Sequence, residues 1–419
     1  MNPAYPQKPA ADQGVVRRIN TALVLDLLRR HAPLSRAELA ARSGLNRSTV
    51  SLIINDLIEE GYVQETELKN PRIGRPGMQL TLNPAAGCAV GVDIGVDFLS
   101  VILTDFSANV LWRKRADSNP TEDQTRILER AMTMTAEAID AGLGQGLRPL
   151  GIGLGAPGLV DLHQGKLIFA PNLRWFNLPL RLIWSQRFAL PVFIENEANA
   201  AALGEYSFGV ARGVDNFIYL SAGIGLGGGV MIDGKLFRGS QGYAGEIGHM
   251  TVEPEGELCG CGRRGCWETI VGPRAVLRRV RQTLAAGAPS TLADLIGGDL
   301  DRLSMEHIVQ AARRGDQVAL SALKDVGKSL GMGIINLIHI FNPELIVLGG
   351  ALSLAAEFLL EEIETIVREN ALKPPGEHVR FAASAHGADA CVMGAAALVL
   401  DEILREPAFS PRLTIGGLT

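Results

Sequence analysis

The sequence has few aromatic residues, only five cysteines and no apolar run long enough to cross a bilayer. Low aromatic content (5%) beside 48 glycines points to a body rich in tight turns. An odd cysteine count, with three of the five inside eight residues, argues against a disulfide framework and for a metal site or free thiols. Cys88 and Cys391 sit among small apolar residues and read as core positions. The longest apolar stretch, near Cys391 to Leu400, is too short for a transmembrane helix. Met1 to Ala11 is polar and proline-rich, unlike a signal peptide, so a cytoplasmic protein without membrane contact is expected. A large positive charge is also missing. The net charge of −5 argues against a general nucleic-acid binder, yet residues 1–83 carry +3 and the remainder −8. A basic module on an acidic body confines any DNA contact to one end. With 419 residues and 47% hydrophobic content, two or three globular domains are expected.

The N-terminal end has the features of a DNA-binding module. Val15 to His31 has a helical period at Ile19, Leu23 and Leu27, and Pro33 follows its end. Ser35 and Glu38 form a capping-box pair at the start of a second helix that stops at Gly44. Asn46 is an N-cap for a third helix, Arg47 to Glu60, with Val50, Ile53, Ile54 and Leu57 facing inward. The start of this helix offers Asn46, Arg47, Ser48, Thr49 and Ser51, short groups suited to base edges and phosphates in a major groove. Two strands, Tyr62 to Leu68 and Met78 to Leu82, enclose the basic, proline-stiffened tip Lys69 to Gly77. Arg72 and Arg75 on that tip are the candidate wing contacts. Three helices of this kind can also be a mere packing module. The capping box, turn glycine, polar helix start and basic wing in that order favour a winged helix-turn-helix.

From Gly87 the pattern becomes α/β. Ala89 to Gly95 leads into Phe98 to Leu103 as a hairpin, and Tyr219 to Asp233 repeats the theme with Gly223, Gly225 and Gly227 to Gly229. Further glycine passages occur at Gly151 to Gly158, after an expected helix, and at Leu348 to Ala351. Any one of them can be an ordinary strand-end turn. Four together suggest two similar lobes of nucleotide-binding type facing across a cleft.

The most specific chemical signal is His249 followed by Cys259, Cys261 and Cys266. One imidazole and three thiolates make a tetrahedral zinc set, and four protein ligands close the site, so the expected Zn2+ is structural. Glycines 260, 262 and 265 permit the turns. A Cys259–Cys261 disulfide would be strained by the spacing. Glu246 and Glu268 flank this knuckle, and Glu195 to Glu205 carries further polar groups into an alanine-rich helix. Carboxylates, an amide and an imidazole suit sugar hydroxyls, although a lone acid is more often a solvated surface residue.

These residues, above all Glu246-x-Gly248-His249 running into Cys259-x-Cys261-Gly262-x-x-Gly265-Cys266-x-Glu268, resemble the ROK family (repressors, open reading frames and sugar kinases) over nearly the whole chain. The winged N-terminus resembles the repressor branch, with its xylose-, glucose- and N-acetylglucosamine-responsive regulators. The resemblance implies an actin-like, two-lobed hexokinase-type body and a homodimer or homotetramer. It divides the chain into a DNA-binding domain (1–83), a first lobe (84–200, completed by a C-terminal helix near 389–404) and a second lobe with the knuckle (201–388). It further implies a sugar site of Asn172, Asn196, Glu197, Glu246, His249 and Glu268, with His249 holding zinc through one ring nitrogen and a hydroxyl through the other.

Three departures from the family's kinases bear on catalysis. Glu197 stands where they have the aspartate that deprotonates the sugar. Asp97 replaces the threonine of their Asp-x-Gly-Gly-Thr hairpin, and Ile224 that of Gly-Thr-Gly-x-Gly-Gly. A lost hydroxyl and an added charge oppose triphosphate binding. The expectation is therefore a sugar-responsive repressor of double-stranded operator DNA with no enzymatic activity, the effector being an aldose of xylose or glucose type. An ATP-dependent sugar kinase retaining a DNA-binding domain is the alternative, and a sensor of another protein a third reading.

Overall fold

A computed structural model describes residues 13–66 and 78–405. The wing tip with Arg72 and Arg75 lies outside the described residues. The N-terminal module contains α1 (Gln13–His31), α2 (Arg36–Ser43) and α3 (Arg47–Glu59), then the antiparallel pair β1 (Val63–Thr66) and β2 (Gln79–Leu82). The capping box at Ser35 forms in full, with Glu38 accepting from the Ser35 backbone N–H at 2.7 Å. Gly44 closes α2 at φ +72°, where a β-carbon would strain the backbone. One expectation needs correction. Ile19 and Leu23 lie on the exposed side of α1, whereas Val24, Leu25 and Leu28 are its buried residues. The inward face is set by the partners available, which are α2, the strand pair and the body, rather than by the regular apolar spacing.

The body begins with β3 (Cys88–Ile94), β4 (Phe98–Asp105) and β5 (Val110–Asp117), followed by α4 (Gln124–Gly144) and β6 (Pro149–Ala156). A small sheet of β7 (Leu159–Asp161), β8 (Lys166–Ala170) and β9 (Trp175–Leu178) precedes α5 (Leu180–Phe188), β10 (Val192–Asn196) and α6 (Glu197–Phe208). The second half opens with β11 (Phe217–Ala222), β12 (Leu226–Ile232) and β13 (Lys235–Leu236). Helices α7 (Glu268–Val271), α8 (Pro273–Ala285), α9 (Leu292–Leu295), α10 (Met305–Arg313) and α11 (Gln317–Phe341) follow. Then come β14 (Leu345–Gly350), α12 (Ala356–Asn370), α13 (Pro375–His378), β15 (Arg380–Ala383) and α14 (Ala390–Arg405).

The two large sheets have one topology. Their orders are β5-β4-β3-β6-β10 and β13-β12-β11-β14-β15. In each, an antiparallel meander pairs through its first strand with two parallel strands. This duplication gives the two lobes anticipated from the repeated hairpins. Among the described residues, no helix is long and apolar enough to cross a membrane.

The passage Gly151 to Gly155 follows a helix, α4, as expected, but it is not a turn; it lies inside β6, with β3 and β10 on either side. Glycine is needed there because α14 lies directly on the sheet. A Cβ at Gly153 would come 1.8 Å from the Ala395 carbonyl oxygen. Helix α14 also packs along α6, and its far end carries the N-terminal module: Leu400, Ile403 and Leu404 share an apolar cluster with Leu25, Leu28 and Phe106. Cys88 and Cys391 are both buried, as expected.

Polar contacts reinforce this junction. Buried Arg29 of α1 pairs with Asp26 and with Asp401 of α14, both at 2.8 Å, and donates to the Ser207 hydroxyl at the end of α6, also at 2.8 Å. The Arg29 carbonyl accepts from Arg212 at 2.9 Å. Arg30 stacks over Tyr206 and reaches Asp215.

Candidate functional site: a polar cavity beside a cysteine knuckle

A cavity of about 350 Å3 lies between the glycine hairpin of the second lobe, the start of α6 and the small sheet. Asn172, Asn196, Glu197, Glu246, His249 and Glu268 all line it. Each reaches it from a different local device. Asn172 sits in the turn between β8 and β9, whose neighbours Leu173 and Trp175 are buried anchors. Asn196 ends β10 and caps α6: its Oδ1 accepts from the backbone of Ala198 (2.9 Å) and Asn199 (3.2 Å), while Nδ2 donates to Gly158 O at 2.9 Å. Its amide is therefore already engaged by the fold. Glu268 starts α7 and accepts from Leu226 N at 3.3 Å, which ties the knuckle to the glycine strand β12.

The knuckle brings its four candidate ligand atoms within 4.8 Å of one another. His249 Nδ1 lies 3.6 Å from Cys259 Sγ, and Cys261 Sγ lies 3.7 Å from Cys266 Sγ. A tetrahedral ion with bonds of about 2.0 Å to nitrogen and about 2.3 Å to sulfur requires ligand separations of about 3.5–3.8 Å. The set fits a metal ion. The opposite ring nitrogen, Nε2, faces Glu246 at 3.7 Å. Gly262 (φ +87°) and Gly265 (φ +69°) supply the turns; a Cβ at Gly265 would sit 1.5 Å from Glu253 O. Gly260 has open space around it and a negative φ, so the knuckle does not depend on glycine there. Buried Trp267, bonded to Ser329 O at 3.1 Å, fastens the loop to α11.

The cavity is acidic, and burial raises carboxyls that line it. Burial pushes the Glu197 carboxyl up to about 8, with Asp93, Glu246 and Asp97 adding repulsion. Asp93 rises to about 7, chiefly through burial, and burial also raises Glu246. An acid whose folded-state pKa is raised favours folding in its protonated form; that advantage is complete below its ordinary value near 4.5 and lost as pH rises through about 8. Glu197→Gln is therefore expected to melt about 2–4 °C above the parent chain at pH 9, the gap closing toward pH 5. Thermal unfolding at both pH values checks this, and an unchanged gap would refute it.

Some cavity features carry no sequence signal of their own. Buried Glu195 on β10 accepts two bonds from Arg238, at 2.7 and 2.9 Å, which joins the lobes behind the cavity. Phe169 and Arg263 also line the cavity. On the N-terminal module, Asn46, Arg47 and Ser48 are exposed, whereas Thr49 and Ser51 are half-buried. Asn46 Oδ1 is engaged in capping, accepting from Thr49 N at 2.8 Å. Leu52, 66% exposed on the same helix, is an apolar contact candidate that polarity-based reading passes over.

A tri-helical module with a strand pair, fused to two like-folded lobes around a polar cavity, defines a DNA-binding regulator on an actin-like, kinase-type body. Residues 89–402 match the ROK family profile, and residues 20–67 match the IclR helix-turn-helix domain. The chain belongs to the ROK family. It is 35% identical over 396 residues to the xylose repressor of Caldicellulosiruptor bescii, covering 94% of this chain and 99% of that one. A crystal structure described as a ROK family transcriptional regulator, homologue of the E. coli MLC protein, superposes with a TM-score of 0.78 at 30% identity, covering 93% of this chain and 97% of that one. A ROK family glucokinase from Streptomyces griseus, solved with glucose and AMPPNP, gives 0.67 at 36% identity, covering 74% of this chain and 99% of that one.

Proposed function

We propose that the chain is a sugar-responsive transcriptional repressor, in which an aldose of xylose or glucose type enters the cavity and lowers affinity for operator DNA. The observation that carries this reading is the span of α6. Its first turn lines the cavity through Glu197 and its last holds Arg29 of the DNA-binding module through Ser207. Closing the cavity on a ligand moves the start of this helix and so biases the docking of α1. Asn172, Glu197, Glu246, Glu268 and the free face of His249 bond sugar hydroxyls, and Asn196 holds the first turn of α6 beside them. Arg47 and Ser48, with Asn46, Thr49, Ser51, Arg72 and Arg75, contact double-stranded DNA. Two such modules in a homodimer address two half-sites. A homotetramer pairs such dimers.

Zn2+ held by His249, Cys259, Cys261 and Cys266 keeps the imidazole in one orientation. With Nδ1 toward the metal, Nε2 is left to face Glu246 and the cavity. The protein acts in the cytoplasm. Residues 1–83 form the DNA-binding unit, 84–200 with 389–404 the first lobe and 201–388 the second.

Phosphoryl transfer is not part of this reading. Ile224, at the tip of the second hairpin, packs against the apolar cluster of the first lobe, while Val96 is buried in the first hairpin. Apolar contact across the hairpins takes the place of donors for phosphate oxygens. Gel retardation of promoter DNA, titrated with xylose, glucose and other aldoses, tests the proposal; retardation that no aldose relieves would overturn it. A coupled ADP-release assay tests the kinase alternative, and turnover abolished by Glu197→Gln would establish it.

A further inference from the structure

The small sheet that walls the cavity is built unlike the rest of the site. Glu197, Glu246, His249 and Glu268 crowd around the knuckle and hairpin, whereas the sheet side presents Pro157, Leu159, Phe169 and Pro171. Phe169 on β8 pairs across the sheet with Phe176 on β9, ring centroids 4.8 Å apart and planes 24° from parallel. Phe176 is 62% exposed. Its backbone is held by two left-handed residues that are not glycine, Arg174 (φ +54°) and Asn177 (φ +52°). Strain of this kind persists where the surrounding structure enforces it, and it concentrates at binding sites. Phe176 stands exposed beside the cavity rather than folded into the core.

We infer that Phe169 and Phe176 form a platform for a second sugar ring, so that the site takes a disaccharide, two aldose units joined by a glycosidic bond. The inference rests on the sugar-binding reading above. An aromatic face attracts the slightly positive C–H groups on the apolar face of a pyranose, and weak C–H contacts of this kind need no polar partner. One ring occupies the carboxylates and the imidazole. The other leaves along the β8–β9 wall, whose apolar side chains offer it nothing to bond but a face to stack on. The cavity of about 350 Å3 takes the first ring, and Phe169 on its wall leads out to the exposed Phe176.

Calorimetric titration of the full chain with xylose, glucose, xylobiose and cellobiose tests this. At least one two-ring sugar is expected to bind about tenfold tighter than its own monosaccharide, a gain of the size that one aromatic contact supplies. Phe176→Ala, at an exposed position, should remove most of that gain, leaving the monosaccharide dissociation constant and the melting temperature unchanged. If monosaccharides bind and two-ring sugars bind no tighter, the platform is overturned and the sugar reading stands. If Phe176→Ala weakens one-ring and two-ring sugars alike, the residue acts structurally and the platform is again overturned. If no sugar of either kind binds or releases DNA, the sugar reading itself falls and the platform with it.

Discussion

Replacing Cys266 with alanine is expected to abolish the sugar response while leaving operator binding in place. Cys266 is fully buried next to Trp267, and Glu268 of the cavity follows immediately. The loop from Thr251 to Arg264 has little apolar burial of its own; turn bonds such as Cys259 N to Arg263 O (2.7 Å) and the four-residue ligand set hold it. Structural zinc contributes about 10–16 kcal/mol in isolated finger peptides. In this chain the second lobe has its own large core, so only the knuckle and the cavity wall would depend on an ion bound there. A loss of about 3–5 kcal/mol, equivalent to a melting temperature lower by roughly 10 °C, is the expected scale. The DNA-binding module docks on α14 and α6, away from the knuckle, and should still retard operator DNA. The checks are zinc released per chain, thermal unfolding, and retardation with and without aldose. A protein that holds no zinc as purified, or a variant that still releases DNA on adding sugar, would refute the assignment.

What could be read from the sequence was the chemistry that local spacing encodes. The knuckle spacing marked three thiols and an imidazole as one set, and the glycine turns at 262 and 265 fold the thiols together. The capping box and Gly44 likewise delimited α2, since cap and turn preferences act within a few residues. Properties that depend on distant partners were not legible. Glycines 151 and 153 look like a loop until α14, more than two hundred residues later, is seen lying on them. Ile19 and Leu23 looked like core because the period is right, yet packing selected Val24, Leu25 and Leu28 instead. Asn196 stands where an N-cap would before an alanine-rich helix, but nothing in the sequence shows its Nδ2 reaching Gly158. The Arg29 junction was the least visible. Its partners Ser207 and Asp401 lie far along the chain, in no recognisable motif.

That junction leads to the second large effect. Arg29→Met is expected to uncouple the two ends of the protein. The guanidinium is 7% exposed and Asp401 only 13%, so methionine leaves a nearly buried carboxylate with only the more distant, exposed Arg405 at 3.9 Å. Removing one partner of a buried pair costs about 3–5 kcal/mol, and the melting temperature should fall accordingly. Loss of stability alone would blur the interpretation, and a second variant separates the two. Arg29→Met with Asp401→Leu replaces both partners by apolar groups, a change that is often neutral or stabilising, so most of the stability should return. The bond from Arg29 to Ser207 is still missing in the double variant. If α6 reports cavity occupancy through that bond, the double variant binds operator normally but releases little of it on adding sugar. The measurement is the ratio of operator dissociation constants with and without saturating aldose. Coupling of this kind typically spans about 5–150-fold, and the ratio should fall to near one in both variants. A double variant that regains stability and keeps the parent ratio would show that the signal bypasses Arg29. The shared apolar cluster of α14 and α1 would then carry it instead.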